Sequence, residues 1–294
     1  MLDLSHIPNS QQDVQIFYSN GTANAWQTWQ KPRKCNYVYI MCIGGGGGGG
    51  GGYRGGFDTT GAIGGGAGAV SRALYNASIL PDRLYVQVGL GGAGGIGGTN
   101  ANIIGTTGGS GTRSWVSLQQ QAGAIVAQNI VQGSGQTAAA GGTCNPSGGT
   151  AAGESAMIQT SGTFLSLSIF IATAGQTSPN PAVNGNVTPL TSQITSAGAP
   201  FGGSILATSL SPEIPSANNG ITAGNGGNGI TSWKPFFSTG GASGGTLAGV
   251  NGGNGGNGGI GSGGGGGASA SNAGTIVAGN GGKGGDGLVV IISF

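Results

Sequence analysis

The chain has 294 residues, room for one large or two ordinary domains, but 71 of them are glycine and only 5% are charged, against about 25% in an ordinary domain. A net charge of +2 comes from nine basic and seven acidic residues that read as scattered singly, with no basic tract to neutralise a row of phosphates, so a nucleic-acid partner is not expected. Hydrophobic content is 36%, much of it alanine, which limits the apolar core to a small one.

Residues 1–12 read as a lead-in arm, with Pro8, Asn9, Ser10, Gln11 and Gln12 of loop type. They lack the basic start and apolar centre of a secretory signal. Residues 14–18 (Val-Gln-Ile-Phe-Tyr) predict a first strand, and Ser19-Asn20-Gly21-Thr22 has the chemistry of a tight hairpin turn. A second extended piece carries Trp26 and Trp29 and ends at Lys31-Pro32. Residues 36–43 follow. Tyr37, Tyr39, Met41 and Ile43 are apolar on one parity, Val38, Ile40 and Cys42 on the other. A strand apolar on both faces is covered on both faces, so this is a core strand.

That strand runs straight into nine consecutive glycines, residues 44–52, within a glycine tract that reaches residue 68 and is broken by Tyr53-Arg54 and Phe57-Asp58. Residues 70–74 and 84–88 predict two more strands, and the second is again followed at once by glycine, residues 89–98. Residues 113–118 and 125–131 are weaker strand candidates. From 133 to 220 alanine, serine, threonine and proline replace much of the glycine, and a loop-rich insertion is expected there, with one strand over residues 165–171. From residue 221 the glycines return as Gly-Gly-X, with Asn251, Asn254 and Asn257 at the third places and Asn280, Lys283 and Asp286 continuing the phase. The closing stretch 288–294 is apolar on both parities, which predicts a last strand returning to the core. The longest apolar runs fall far short of a membrane span.

A repeat of three matches an extended helix of the polyproline II type, with about 3.1 Å rise and no internal hydrogen bonds. Two bare glycine edges let such helices approach and exchange N–H···O=C bonds sideways, and buried backbone groups need those partners. The asparagines would form a polar stripe toward solvent or another chain. The expected architecture is therefore all-β with almost no α-helix. A jelly-roll-like β-sandwich of the N-terminal strands and the C-terminal strand carries an inserted bundle of polyglycine II helices. Its parts are an arm (1–12), strands with the first glycine tracts (13–132), the insertion (133–220), and Gly-Gly-X tracts with the closing strand (221–294), all in one integrated domain. Collagen is excluded by the eleven prolines, a flexible linker by the alternation of strands and tracts. A nucleotide-binding loop is excluded because no Gly-Lys-Ser/Thr follows the glycines.

The order Phe17-Tyr18-Ser19-Asn20-Gly21-Thr22, Trp29-Gln30-Lys31-Pro32, Tyr39-Ile40-Met41-Cys42-Ile43 and polyglycine resembles the glycine-rich domain of tailed-phage virion and tail-fibre proteins. So do Tyr85-Val86-Gln87-Val88-Gly89 with its following glycines, and Gly284-Gly285-Asp286-Gly287-Leu288-Val289-Val290-Ile291-Ile292. Similar polyglycine bundles occur in the distal tail-fibre adhesins of T-even-like phages and in the glycine-rich region of certain receptor kinases. The resemblance implies an external virion part in a tail fibre or other appendage, made in the host cytoplasm and displaying loops for attachment to a host surface glycan or protein. A capsid decoration, cement or head-fibre protein is the alternative it leaves open, and a non-viral surface filament is a third reading. It also implies that the N-terminal arm meets other virion proteins. The threefold habit of phage fibres implies a homotrimer, although no coiled-coil heptads set that number.

Residues for catalysis are few. His6 is the one histidine, and the acids Asp3, Asp13, Asp58, Asp82, Glu154, Glu213 and Asp286 stand apart in sequence. No His/Cys cluster has metal-ligand spacing, and Cys144 has no base beside it. Cys35 and Cys42 fall on opposite faces of one strand and cannot pair, so three reduced thiols are expected. Asn20-Gly-Thr and Asn76-Ala-Ser fit the glycosylation pattern but read as turns. An enzyme, a cofactor, a metal site and membrane insertion are not expected. The candidate receptor or subunit contacts are the large side chains set among glycines: Tyr53, Arg54, Phe57, Trp233, Phe236 and Phe237.

Overall fold

The computed structural model describes residues 13–23, 25–55, 62–99, 104–120, 129–133, 224–233, 236–245, 249–270 and 274–294, and the structural statements below concern these. The expected arm, the insertion beyond residue 133 with its strand at 165–171, Phe57, His6 and Cys144 lie outside the described residues.

Two four-stranded antiparallel sheets form the body. The first has the order β1 (Asp13–Tyr18), β10 (Leu288–Ser293), β3 (Tyr37–Ile43), β4 (Val70–Asn76). The second has the order β2 (Trp26–Gln30), β5 (Arg83–Gln87), β6 (Ser114–Ser117), β7 (Asn129–Gly133). The closing strand therefore lies in the middle of the first sheet, with Val290 opposite Ile16 on one side and Met41 on the other. Every residue of β10 is buried.

The double apolarity of β3 has its reason here. Its Val38, Ile40 and Cys42 point inward with Val289 and Ile291 of β10. There they join Trp29, Leu84, Val86, Val116 and Val131 of the second sheet in a single core. Its Met41 and Ile43 point outward into a second apolar cluster with Val70, Leu288, Val290 and Ile292. Each fully buried aliphatic side chain of this kind contributes about 1.5–3 kcal/mol of hydrophobic stabilisation. Two sheets sharing one core make a sandwich, with the layering and strand number of a jelly roll. Among the described residues there is no α-helix, only a 3-10 turn at Ala77–Ile79.

One expectation is corrected. The turn at Ser19-Asn20-Gly21-Thr22 forms, with Gly21 at φ +78° and the Asn20 carboxamide oxygen accepting from the Thr22 N–H at 3.0 Å. It does not make a hairpin, because β1 and β2 belong to different sheets. The apolar demand of each strand for its own sheet overrides the local twist preference of Asn-Gly. A short hairpin that the pattern did not announce, β8 (Thr231–Trp233) with β9 (Phe236–Ser238), stands apart from both sheets.

Between the strands run extended glycine segments without helix or strand hydrogen bonding of their own: residues 44–52, 62–69, 89–98, 105–112, 224–230, 239–245, 251–259, 261–270 and 277–287. Main-chain bonds join them sideways with period three. Gly44, Gly47 and Gly50 donate to Ala69, Gly66 and Ile63, while Gly45, Gly48 and Gly51 donate to Thr112, Gly109 and Thr106. Gly46, Gly49 and Gly52 donate to Gly285, Gly282 and Gly279, all within 2.8–3.0 Å. The carbonyls of Gly46, Gly49 and Gly52 accept in turn from Gly92, Gly95 and Gly98. Every N–H of residues 44–52 thus has a main-chain acceptor.

Glycine is required here for space rather than for conformation. Among the described glycines only Gly21, Gly249, Gly261 and Gly274 have positive φ. A Cβ on Gly48 would sit 1.9 Å from the Ala93 carbonyl oxygen, and one on Gly49 2.0 Å from that of Gly265.

Candidate functional site at the two ends of the glycine lattice

The lattice is registered by the sandwich. Segment 44–52 leaves β3, 62–69 enters β4, 89–98 follows β5, 105–112 precedes β6 and 277–287 enters β10. All five therefore start level at one end. Ser114 clamps that junction: fully buried, its hydroxyl donates to the Ile43 carbonyl at 2.6 Å and accepts from the Gly89 N–H at 2.9 Å. Gly287 donates to the Gly89 carbonyl at 2.8 Å beside it. Nothing in the sequence marks this serine, because its role depends on three chain segments meeting.

The asparagine stripe is exposed, as expected, yet its side chains also work inward. Asn225 and Asn228 accept through Oδ1 from the N–H groups of Asn254 and Asn257, each at 2.9 Å. Asn251, Asn254 and Asn257 accept likewise from Val277, Asn280 and Lys283 at 2.8–2.9 Å. The ladder continues with Asn280 accepting from Gly97 and Asp286 from Gly91, each at 2.8 Å. Residues at the surface of the lattice have no further glycine segment to receive their N–H. The carboxamide of the adjacent segment supplies the acceptor. Asparagine is short enough to do so and carries no charge to desolvate.

The sequence-predicted contact residues divide between opposite ends. Tyr53 and Arg54 lie at the end away from the sandwich, where Ala270 donates to the Tyr53 carbonyl at 2.9 Å and Gly55 to the Ala270 carbonyl at 3.1 Å. Arg54 is 4% exposed. Its Nε donates to the Ile276 carbonyl and its terminal nitrogen to the Gly274 carbonyl at 2.8 Å, which ties the 274–276 turn to the first segment. The guanidinium is thus an internal lock of the tip. The half-buried Tyr53 ring lies over Gly55.

Trp233 sits at the other end. Segment 224–230 meets 239–245 at Ile230 and Thr239, on the sandwich side, and β8 and β9 extend from there. Trp233 is 45% exposed and pairs in register with Phe236, with Ser232 opposite Phe237. Taking about 3.1 Å per extended residue, the two sets stand about 25 Å apart and form no single patch.

Cys42 is fully buried, and burial pushes its thiol well above the ordinary range. Cys35 and Cys42 are both free thiols. Among the described residues, no three His, Cys, Asp or Glu side chains converge to hold a metal ion, and no helix is long and apolar enough to cross a membrane.

No curated protein matches the chain. The family model described as glycine-rich domain matches residues 20–293, from the turn after β1 through β10, and so takes in the lattice and every strand of the sandwich but β1. By that match the chain belongs to the glycine-rich domain family.

Proposed function

We propose that this protein is a structural part of the outside of a bacteriophage particle, in a tail fibre or other appendage, with the turns at the far end of the lattice facing the host surface. The period-three rotation of hydrogen-bond partners supports reading the glycine segments as polyglycine II helices, three residues to the turn. The observation that carries the reading is this sideways bonding of main chain to main chain. It gives a stiff body with few charges, few large side chains and few sites for a protease that cuts at lysine or arginine. The resemblance of the strand-to-glycine junctions to tailed-phage glycine-rich domains supports the same reading. Its role is mechanical and adhesive rather than catalytic. It assembles as a homotrimer, with residues 1–12 meeting other virion proteins.

The test is to purify particles made in the presence of the tagged chain, detect it by mass spectrometry and locate it by labelled antibody. Absence from particles ends the proposal. If the label coats the head and the soluble protein does not block adsorption, the chain is a capsid decoration. If the label marks an appendage and the soluble protein competes, it is an adhesin. A mass measurement in solution checks the trimer.

A further inference from the structure

The pole of the sandwich opposite the lattice holds a cavity of about 850 Å³ between the end of β2, the start of β3, the turn after β4 and the start of β5. Four of the chain's basic residues line it: Lys31, Arg33, Lys34 and Arg83. Three of them stand together in sequence, within residues 31–34, and the register Gln30 to Arg83 between β2 and β5 adds the fourth. The one acid on the wall, Asp82, is taken up by Lys31 at 3.1 Å, and the same ammonium donates to the Leu80 carbonyl at 2.8 Å. Arg33, Lys34 and Arg83 are exposed and, among the described residues, share no carboxylate. Lys34 is also the one described non-glycine residue with positive φ, +69°, a conformation disfavoured for any side chain and recurrent at ligand sites.

Tyr85, half-buried, lines the same cavity. Its ring meets Trp26 edge-on at 6.4 Å, and Trp26 stacks on Trp115 at 6.1 Å, so an aromatic row leads along the outer face of the second sheet into the cationic cavity. Asn36, Asn76 and Ser78 add neutral polar groups to the wall. A pocket of this size with an aromatic ring, amide and hydroxyl groups and exposed cations has the chemistry for a sugar that bears a negative charge.

We propose that this pole binds an anionic saccharide, with its carboxylate or phosphate held by Arg33, Lys34 and Arg83 and a sugar ring laid against Tyr85. An acidic peptide would satisfy the cations but would leave the aromatic row without a role. The inference goes beyond the virion reading and stands on the cavity whether or not the chain is found on particles.

The experiment is calorimetric titration of the full-length protein with four probes at low and high salt. These are an oligogalacturonate, a phosphate-substituted dextran, neutral dextran of the same length and a poly-glutamate peptide. The expected result is that one or both acidic saccharides bind, neutral dextran does not, and salt weakens the complex. Arg33→Ala and Arg83→Ala each lower the affinity about five- to tenfold, and the two with Lys34→Ala abolish it. Tyr85→Leu weakens the saccharide while leaving the salt dependence of its binding unchanged. Lys34→Gly weakens binding yet raises the melting temperature, because glycine relieves the backbone. The proposal is overturned if neither acidic saccharide binds, if neutral dextran binds as well, if poly-glutamate binds as tightly as the saccharides, or if the folded variants bind like the parent.

Discussion

The Ser114 hydroxyl donates to the Ile43 carbonyl across 2.6 Å at the point where β3 becomes the first glycine segment. With the Gly89 N–H on its other side, it holds the ends of two tracts at the level where the lattice register begins. Ser114→Ala leaves a buried N–H and a buried carbonyl short of a partner, at a cost of about 1–3 kcal/mol. Urea unfolding measures it, and amide exchange at Gly89 should rise in the variant. A loss within about 0.3 kcal/mol would make the clamp dispensable.

Adjacent glycines of one run should differ sharply. A Cβ on Gly47 comes no closer than 3.4 Å to the Gly66 nitrogen, an ordinary contact, whereas on Gly48 it would collide with the Ala93 carbonyl oxygen at 1.9 Å. Gly47→Ala should fold with stability changed by about 1 kcal/mol or less. Gly48→Ala should lose about 3 kcal/mol or more, since fixed main chain has no room to move aside. Equal tolerance at both positions in thermal melts would contradict the lattice.

The asparagine ladder predicts a paired readout. In Asn254→Ala the Asn280 N–H loses its acceptor, and in Asn257→Ala the Lys283 N–H does. Amide exchange should accelerate at residue 280 in the first variant and at residue 283 in the second. These bonds are exposed, so each substitution costs about 0.5 kcal/mol and the two together about 1 kcal/mol.

Arg54→Met removes the donors to Ile276 and Gly274. It should destabilise the protein by about 2–3 kcal/mol, as loss of charge-assisted bonds from a buried position does. The first effect to appear is faster exchange at Gly55 and Ala270, which pair at the same end. Should Arg54→Met instead abolish adsorption with exchange unchanged, the residue is a contact rather than a lock.

The thiols should separate by chemistry. Half-buried Cys35 should react with a thiol reagent in the native state, and Cys42 only on unfolding. The folded Cys42 thiol titrates well above its ordinary value of 9.0. Above that pH the unfolded chain sheds a proton that the folded chain keeps, and stability falls as pH rises. Denaturant melts from pH 8 to 10.5 should decline more steeply for the parent than for Cys42→Val, which has no thiol to titrate.

Much of the sandwich was legible because it depends on side chains. The parity of residues 37–43 announced a strand covered on both faces, and residues 288–294 announced its partner. The period of three was legible too, since the asparagines punctuate it. Which segment pairs with which was not. Runs such as 44–52 are identical under a shift of one, and only the strand order of the two sheets breaks that degeneracy. Arg54 read as exposed because its partners, Gly274 and Ile276, lie 220 or more residues away and offer only carbonyls. Lys31-Pro-Arg-Lys read as unremarkable until β5 brought Arg83 beside it.

The place of β10 bears on how the molecule is made. It follows every other described strand in the chain, yet it lies between β1 and β3, made long before it. Until it emerges, those two have a vacant slot between them with unpaired edges, and segment 277–287 is missing from beside segment 44–52. The first sheet therefore closes only once β10 has left the ribosome. A nascent chain stalled with residue 288 still inside the ribosome should remain protease-sensitive at β1 and β3, and one that has released residue 293 should be resistant there.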